Sequence, residues 1–429
     1  MRAFEPGGGT TTVPRTARAD VPVPVQTGRS QPPAPAARVD EDRFEIPPAW
    51  RRTIIPRRGG AAGPPVHAGP ASVTAADEFL APLRAGIDAL LADPHTDPRT
   101  GAVARAHLAG EPTPAGAAAV AAAASHAYGW GNIDRIRALA DGWVAAHGVV
   151  FAARAVVELS GLAVDHGPYP PRGGRVRIGR HTDLSAAGWS HHAHWLAVAA
   201  RIRAHLAAAT DADHVAAVDA LATLRAGSAR QRVAICFLLP TQTDWVDQEC
   251  RALPATSDYA VGGLLWCAIG SLPQLDLIAE HVRTWWVIQH QSLVTTVVDG
   301  IGPAIAPRLA DWFDRDYADA DARQRLLDAL AVLPTDEALR LQLDRLDQPR
   351  VPASVQAAAR RFPVRAVRLL AEAAGGATPR ARTAADLLRA HVSAHPAATA
   401  AALPALSGDA RRRVTAVRDG GTGAHEEMP

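Results

Sequence analysis

The densest run of metal-ligating side chains is Ser190-His191-His192-Ala193-His194, with His181 and Asp183 just upstream. On a helix His191 and His194 share a face, and His205 lies further along it. Zinc needs three or four N, S or O donors in tetrahedral reach, so an i, i+3 histidine pair is half a site that His181 or Asp183 would have to complete by folding back. No HExxH, CxxC or HxxxH pattern completes it here, and Trp189 and Trp195 flank the run, which favours a hydrogen-bonded histidine cluster over a metal centre. His391 and His395 have i, i+4 spacing on a helix that Pro396 ends. The chain has no Lys, which excludes a P-loop; Gly300-Ile301-Gly302 runs into a proline with no strand before it, unlike a dinucleotide fingerprint; and there is no GxSxG elbow. Cys236, Cys250 and Cys267 are far apart in apolar surroundings, with nothing beside them to lower a thiol pKa. Asp311, Asp314, Asp316, Asp319 and Glu337 form an acidic group that lacks the glycine and spacing of a calcium loop, and helix N-termini attract such acids. The expectation is therefore no catalytic, cofactor-binding or metal residue and no cofactor. A metal-dependent enzyme around His181–His194 is the weaker alternative.

Arginine is the other candidate chemistry. Arg360, Arg361, Arg365 and Arg368 cluster within one helical repeat, with Arg380, Arg382 and Arg389 in the next. Equivalent positions of stacked repeats line one ridge, so the first four are candidate partner-binding residues, for protein or, as in HEAT-like DNA glycosylases, for duplex DNA. Glu372 and Asp386, each four residues from an arginine, are expected to neutralise some of them within their own helices. A second basic group, Arg51, Arg52, Arg57 and Arg58, sits in the strip 40–60 beside Phe44, Ile46, Trp50, Ile54 and Ile55. The favoured reading docks the strip on the first helices with Trp50 as anchor and the arginines solvated.

The formal net charge of +2 argues against a strongly electrostatic binder of nucleic acid or membrane and leaves room for local patches. All 45 basic residues are arginine, in an Ala-, Gly- and Pro-rich chain, which reflects coding composition more than guanidinium chemistry. Three scattered cysteines imply reduced thiols and a cytoplasmic protein. No run of 18 apolar residues predicts a transmembrane helix, and no apolar segment follows Arg2 as in a signal peptide.

The elements that would position these groups are helices. From Asp319 to Leu406 the chain reads as three helix pairs: Leu326, Leu327, Leu330 and Leu333, then Leu339, Leu343 and Leu346; Val355–Phe362, then Val367–Ala374; and Ala384–Val392, then Ala401–Leu406. Prolines and the Gly375-Gly376 pair break them. Two helices, a break and a repeat some tens of residues later is the pattern of a HEAT-like α-solenoid, so the fold class is all-α. Upstream, Thr74 and Asp77, Thr113-Pro114, Asn132, Asp211 and Ser228 look like helix starts, Gly148 separates two helices, and 278–298, around Trp285 and Trp286, reads as one deeply buried helix. The expected organisation is a disordered linker (1–38), an anchored extended strip and loop (39–72), an N-terminal helical part (73–164), an exposed loop (165–182), HEAT-like repeats (183–418) and a flexible tail (419–429).

RFEIPPAWRRTIIPRRGG (43–60), AAARRFPVRAVRLLAEAA (357–374) and LLRAHVSAHP (387–396) resemble the N-terminal helical region of large bacterial MolR-like proteins that carry a C-terminal domain of unknown function. The resemblance spans about residues 40–417 and implies HEAT-like helices, a scaffold or regulatory role and no catalytic residues. Proteins of that kind would continue past this C-terminus. The last helix, expected from Asp409 to Val417 with only Val414 and Val417 as large apolar residues, is thin cover for Leu403 and Leu406. The expected function is a non-catalytic protein-interaction scaffold whose partner engages the C-terminal flank. A HEAT-like nucleic-acid binder using its arginine clusters is the alternative.

Overall fold

The computed structural model describes residues 40–129, 131–165, 177–181, 184, 192–254 and 259–422. The expected linker 1–38, most of the loop 165–182 and the histidine run as far as His191 lie outside them. Asp40 onward forms one compact unit. In chain order its helices are α1 (Pro70–Leu80), α2 (Arg84–Ala92), α3 (Pro98–Leu108), α4 (Pro114–Tyr128) and α5 (Arg137–Ser160). After a short hairpin come α6 (His192–Ala208), α7 (Asp211–Ala222), α8 (Ala229–Leu238), α9 (Thr243–Ala252), α10 (Tyr259–Ala268), α11 (Leu272–Ile278), α12 (Thr284–Val287), α13 (Gln291–Ile301) and α14 (Ala306–Phe313). The last group is α15 (Ala320–Ala331), α16 (Asp336–Leu343), α17 (Val351–Arg361), α18 (Pro363–Ala373), α19 (Pro379–Ala394), α20 (Pro396–Ala402) and α21 (Gly408–Thr422). The fold is all-α.

Local chemistry sets these boundaries. Ser228 and Gln231 make a reciprocal capping box at α8. Thr113, Thr335 and Thr378 each accept an N–H of the first turn of their helix, and Asp319 accepts two at α15. The three pairs read between Asp319 and Leu406 are α15/α16, α17/α18 and α19/α20. Each helix packs on the next and on the next but one: α16 on α17 and α18, and α17 on α18 and α19. A continuous buried core runs from Ile46 to Val414. In α4 the alanines from 117 to 124 are buried on every side, because a methyl group lets α3 and α5 approach closely.

Several sequence expectations need correction. Helix α1 starts at Pro70 behind Gly69, not at Thr74. Thr210, not Asp211, caps α7. The expected exposed loop 165–182 has strand at both ends: β1 (Leu162–Asp165) pairs antiparallel with β2 (Arg177–Arg180), Val164 opposite Ile178. Ile178 is fully buried, its N–H donates to Thr96 Oγ1 (3.3 Å) and its carbonyl accepts Asp97 N–H (3.0 Å), so α2 and α3 provide the seat for this pair. The single helix expected over 278–298 is α11, α12 and α13 instead, and Trp285 is 47% exposed. The polar residues His281, Arg283, Gln289 and His290 interrupt the apolar face there.

Among the described residues one stretch, Ile133–Ser160, is long and apolar enough by composition to cross a bilayer. It is broken at Gly148, whose φ of 84° and ψ of 165° only glycine adopts readily, and α5 packs against α1, α4, α6 and α8 as a core element. The bend at Gly148 is where the sequence placed a helix break.

Candidate functional site

Residues 40–69 form a strap across the helices, extended except for a 3-10 turn at Pro48–Arg52, in the reverse of their chain order. Its start lies on α18, its middle on α13 and the end of α10, and its last part on α6. The apolar anchors are Ile46, Ile54 and Pro56, all buried, whereas Trp50 is half-buried against the core. The strip is docked, but on helices from the second half of the chain as well as the first.

Core side chains read the strap mainly through its backbone. Thr296 Oγ1 accepts Ile55 N–H at 3.1 Å, and Asp299 Oδ1 accepts Ala61 N–H at 2.9 Å. Arg203 donates to the carbonyls of Pro56 (2.7 Å) and Ile55 (3.3 Å), Arg201 to Pro65 (3.1 Å) and Arg361 to Glu45 (2.7 Å).

Arg203 is the centre of this arrangement. It is 1% exposed and also donates to the carbonyls of Phe237 (3.0 Å) and Cys267 (2.9 Å), in the last turns of α8 and α10, with its guanidinium over the Phe237 ring. Helix C-terminal carbonyls lack intrahelical donors and carry partial negative charge, so one buried cation satisfies two helix ends and the strap. Burial, reinforced by the charge of Arg57, lowers its pKa to about 9. Arg57 donates to the Ile269 carbonyl at 2.8 Å, and its Nε lies 3.9 Å from Asp299 Oδ2. Both of those atoms are buried without a hydrogen-bond partner, and burial raises the pKa of Asp299. Gly60 and Gly300 permit this approach, because a Cβ on either would collide with the Asp299 carboxylate or the Arg57 guanidinium.

At the other end of the strap, Glu41 lies on the first turn of α18. Its Oε1 accepts Val364 N–H at 2.6 Å and its Oε2 accepts Arg365 N–H at 2.8 Å. Arg365, 7% exposed, donates to the Glu41 carbonyl (2.7 Å), Asp42 (2.6 Å) and Asp336 (3.1 Å). Arg368 holds Asp336 with two bonds of 2.5 and 2.6 Å, which keep that carboxyl below its ordinary pKa. Of the four candidate partner-binding arginines, Arg361, Arg365 and Arg368 thus bond within the chain, and Arg360 is exposed. Two of the pairs cross between helices, Arg368 with Asp336 and Glu372 with Arg340, whereas Asp386 takes Arg389 three residues on in its own helix instead of Arg382. Sequence spacing could not reveal the partners of Arg203 or Arg365, since they lie 29 to more than 300 residues away.

Other titratable groups pack within the fold. His205 Nε2 donates to Asp141 Oδ1 at 2.7 Å, and Arg201 grips the same carboxylate at 2.7 and 2.9 Å. Burial alone would raise the pKa of Asp141, but these hydrogen bonds outweigh it and hold it low. His391 Nε2 donates to the Pro363 carbonyl at 2.9 Å, its ring 4.5 Å from that of His395. Cys236, Cys250 and Cys267 are buried and unpaired, and burial pushes their thiols up to about 12, 12 and 11. Among the described residues no three His, Cys, Asp or Glu side chains gather around a common point for a metal. Asp183, Ser190 and His191 lie outside them. A groove of about 400 Å³ runs between the strap and α6, lined largely by Ile54, Ile55, Ile133, Leu196 and Ala200.

Residues 75–285, just under half of the chain, match the family model of the YehI second domain, a bacterial domain family. The match runs from within α1 to within α12 and contains Arg203 and its two helix ends. The strap and α13–α21 lie outside it. No curated protein and no solved structure matches the chain.

Proposed function

We infer that this chain is a non-catalytic, HEAT-like helical-repeat scaffold that binds another protein in the cytoplasm. The motifs at 43–60, 357–374 and 387–396 support a kinship with MolR-like proteins, and the partner contacts lie on the C-terminal half. The observation that carries the reading is how the ionisable groups are used. Arg203, Arg57, Asp299, Arg365 and Asp336 hold helix ends and the strap, and Asp141 with His205 ties α5 to α6. A nucleophile needs a base within reach, and the three buried thiols have none positioned to ionise them. Protein is favoured over duplex DNA because the formal net charge is only +2, whereas binding along a phosphate backbone draws on an excess of cations.

The test is affinity purification of the full chain from its native host, followed by gel filtration and mass spectrometry. A protein that remains stoichiometric at moderate salt is the expected result. Recovery of nucleic acid without a stoichiometric protein, or of the chain alone, would overturn the reading.

A further inference from the structure

We propose that the first turn of α18, with Arg361, Arg365 and Arg368, is a binding site for an acidic extended segment of a partner protein, and that residues 40–45 of the strap occupy it as an internal competitor. The proposal rests on the scaffold reading and gives it a location and a partner chemistry.

The first support is the occupant already present. Both carboxylate oxygens of Glu41 are taken by consecutive N–H groups of Val364 and Arg365, at 2.6 and 2.8 Å. These N–H groups have no acceptor within α18, and Pro363 at the first position removes a competing donor. Arg365 then closes over the segment, donating to the Glu41 carbonyl and the Asp42 carboxylate, while Arg361 takes the Glu45 carbonyl. The site therefore reads one carboxylate on a helix end, a second carboxylate at the next residue, and backbone carbonyls on either side. An extended peptide carrying adjacent acids meets all of these contacts.

The second support is preorganisation. Asp336 holds Arg365 Nε at 3.1 Å and Arg368 at 2.5 and 2.6 Å, and neither bond involves the strap. The Phe362 ring lies under the guanidinium groups of Arg365 (5.3 Å) and Arg361 (5.8 Å), and His391 fixes the Pro363 carbonyl. With residues 40–45 removed, three arginines would face one carboxylate around an open helix N-terminus. That is a cationic surface already shaped for an anion.

The third support is the uneven hold on the strap. Ile46, Ile54 and Pro56 are buried, and Arg203 grips the backbone at 55 and 56. Before Ile46 the only apolar contact is the half-buried Phe44, and the Asp42 side chain is 89% exposed. The bonds of Glu41 to α18 are part-buried and the Asp42 carboxylate is exposed, so this end is held by charge-assisted bonds with little apolar burial, and salt screens the exposed one most. Residues 40–45 can therefore leave while the rest of the strap stays.

The probe is a fluorescein-labelled peptide with the sequence of residues 40–47, measured by fluorescence anisotropy against the full chain. Glu41→Gln with Asp42→Asn opens the site, and this variant is expected to bind the peptide at least tenfold more tightly than the unmodified chain. Binding should weaken several-fold between low and physiological salt. Adding Arg365→Gln should abolish it. Arg361→Gln, which leaves the buried bonds of Arg365 intact, should weaken it and guards against simple unfolding. Equal binding of a peptide with its acids replaced by amides would overturn the proposal, as would no gain in the opened variant. Tighter binding of a single-stranded oligonucleotide than of the peptide would make this a nucleic-acid site instead. The two readings fail separately. If a host protein co-purifies equally with the chain and with its Arg361→Gln, Arg365→Gln variant, the scaffold stands and this site falls. If the peptide binds but no host protein is recovered, the reverse holds.

Discussion

Replacing Arg203 by methionine sets two large opposing terms against each other. Methionine keeps most of the aliphatic volume and removes every donor. Burial lowers the guanidinium well below its ordinary range, to about 9, a penalty on the charged form of about 5 kcal/mol that the substitution would relieve. Against this, the carbonyls of Ile55, Pro56, Phe237 and Cys267 lose a donor. A buried acceptor left unpaired costs about 1–3 kcal/mol, so four at the middle of that range cost about 8 kcal/mol. Two of them also end helices, where a cation offsets the dipole. Arg203→Met is expected to destabilise the protein by about 3 kcal/mol, the difference between those two terms. Urea unfolding followed by far-ultraviolet circular dichroism measures the loss. Hydrogen exchange then locates it: the amides of Ile55 and Ala61, bonded to Thr296 and Asp299, should lose protection while α19–α21 keep theirs. An unchanged or higher unfolding midpoint would refute the reasoning, because it would mean that charge burial outweighs the four carbonyl bonds and that apolar contacts alone hold the strap.

Other perturbations separate the remaining contributions. Gly148→Ala places a Cβ in a region of backbone space nearly restricted to glycine and should destabilise by about 1–3 kcal/mol; a neutral result in the same urea titration would mean that α5 straightens. Ile54→Ala should destabilise by about 2–5 kcal/mol and Trp50→Ala by only about 1–2 kcal/mol, since the ring is half-buried, so a reversed order would make Trp50 the anchor after all. At pH 8 a thiol reagent should label none of the three cysteines until the protein unfolds, and rapid labelling in native buffer would show that they are accessible. Their folded pKa values of about 11 to 12 lie above the unfolded value of 9.0, so the unfolded chain loses these protons first. Their contribution to stability is thus intact below pH 9 and falls from pH 9 towards 11–12, which a Cys236→Ala variant should blunt in an alkaline melt.

Much of the helical architecture was legible because it is local. The pairs from Asp319 to Leu406 follow from leucine spacing and from Pro334, Pro352 and Pro396, and the caps Ser228, Thr113 and Asn132 sit where their side chains reach the next turn. The errors came from two sources. Composition outweighed pattern at 278–298, where apolar content suggested one helix although His281, Arg283, Gln289 and His290 break its face. Strand pairing was missed because Leu162–Asp165 and Arg177–Arg180 are only four residues each, and neither is stable without the other and the α2–α3 seat. The candidate site was half legible. Spacing assembled the arginines of α17–α18, but helical period supplies only partners three or four residues away, and the observed ones are Asp336, Glu41 and Asp42.

The strap explains why those long-range partners matter. An extended segment has unpaired N–H and carbonyl groups along its length, and it can lie on apolar helices only where side chains supply bonds to them. Thr296, Asp299, Arg203, Arg201 and Arg361 supply them at intervals, so the strap's path is set mainly by the core and less by its own side chains. The two ends are then held differently. Around Arg203 the bonds are buried, and breaking them strands carbonyls that water cannot reach. On α18 they are charged and only part-buried, and in the proposed exchange another acidic segment replaces them. The same arginine chemistry therefore fixes the middle of the strap and leaves its beginning exchangeable. Protection from hydrogen exchange should reflect this, rising from the amides of residues 40–45 to that of Ile55 at low salt and losing its lower part first as salt is added.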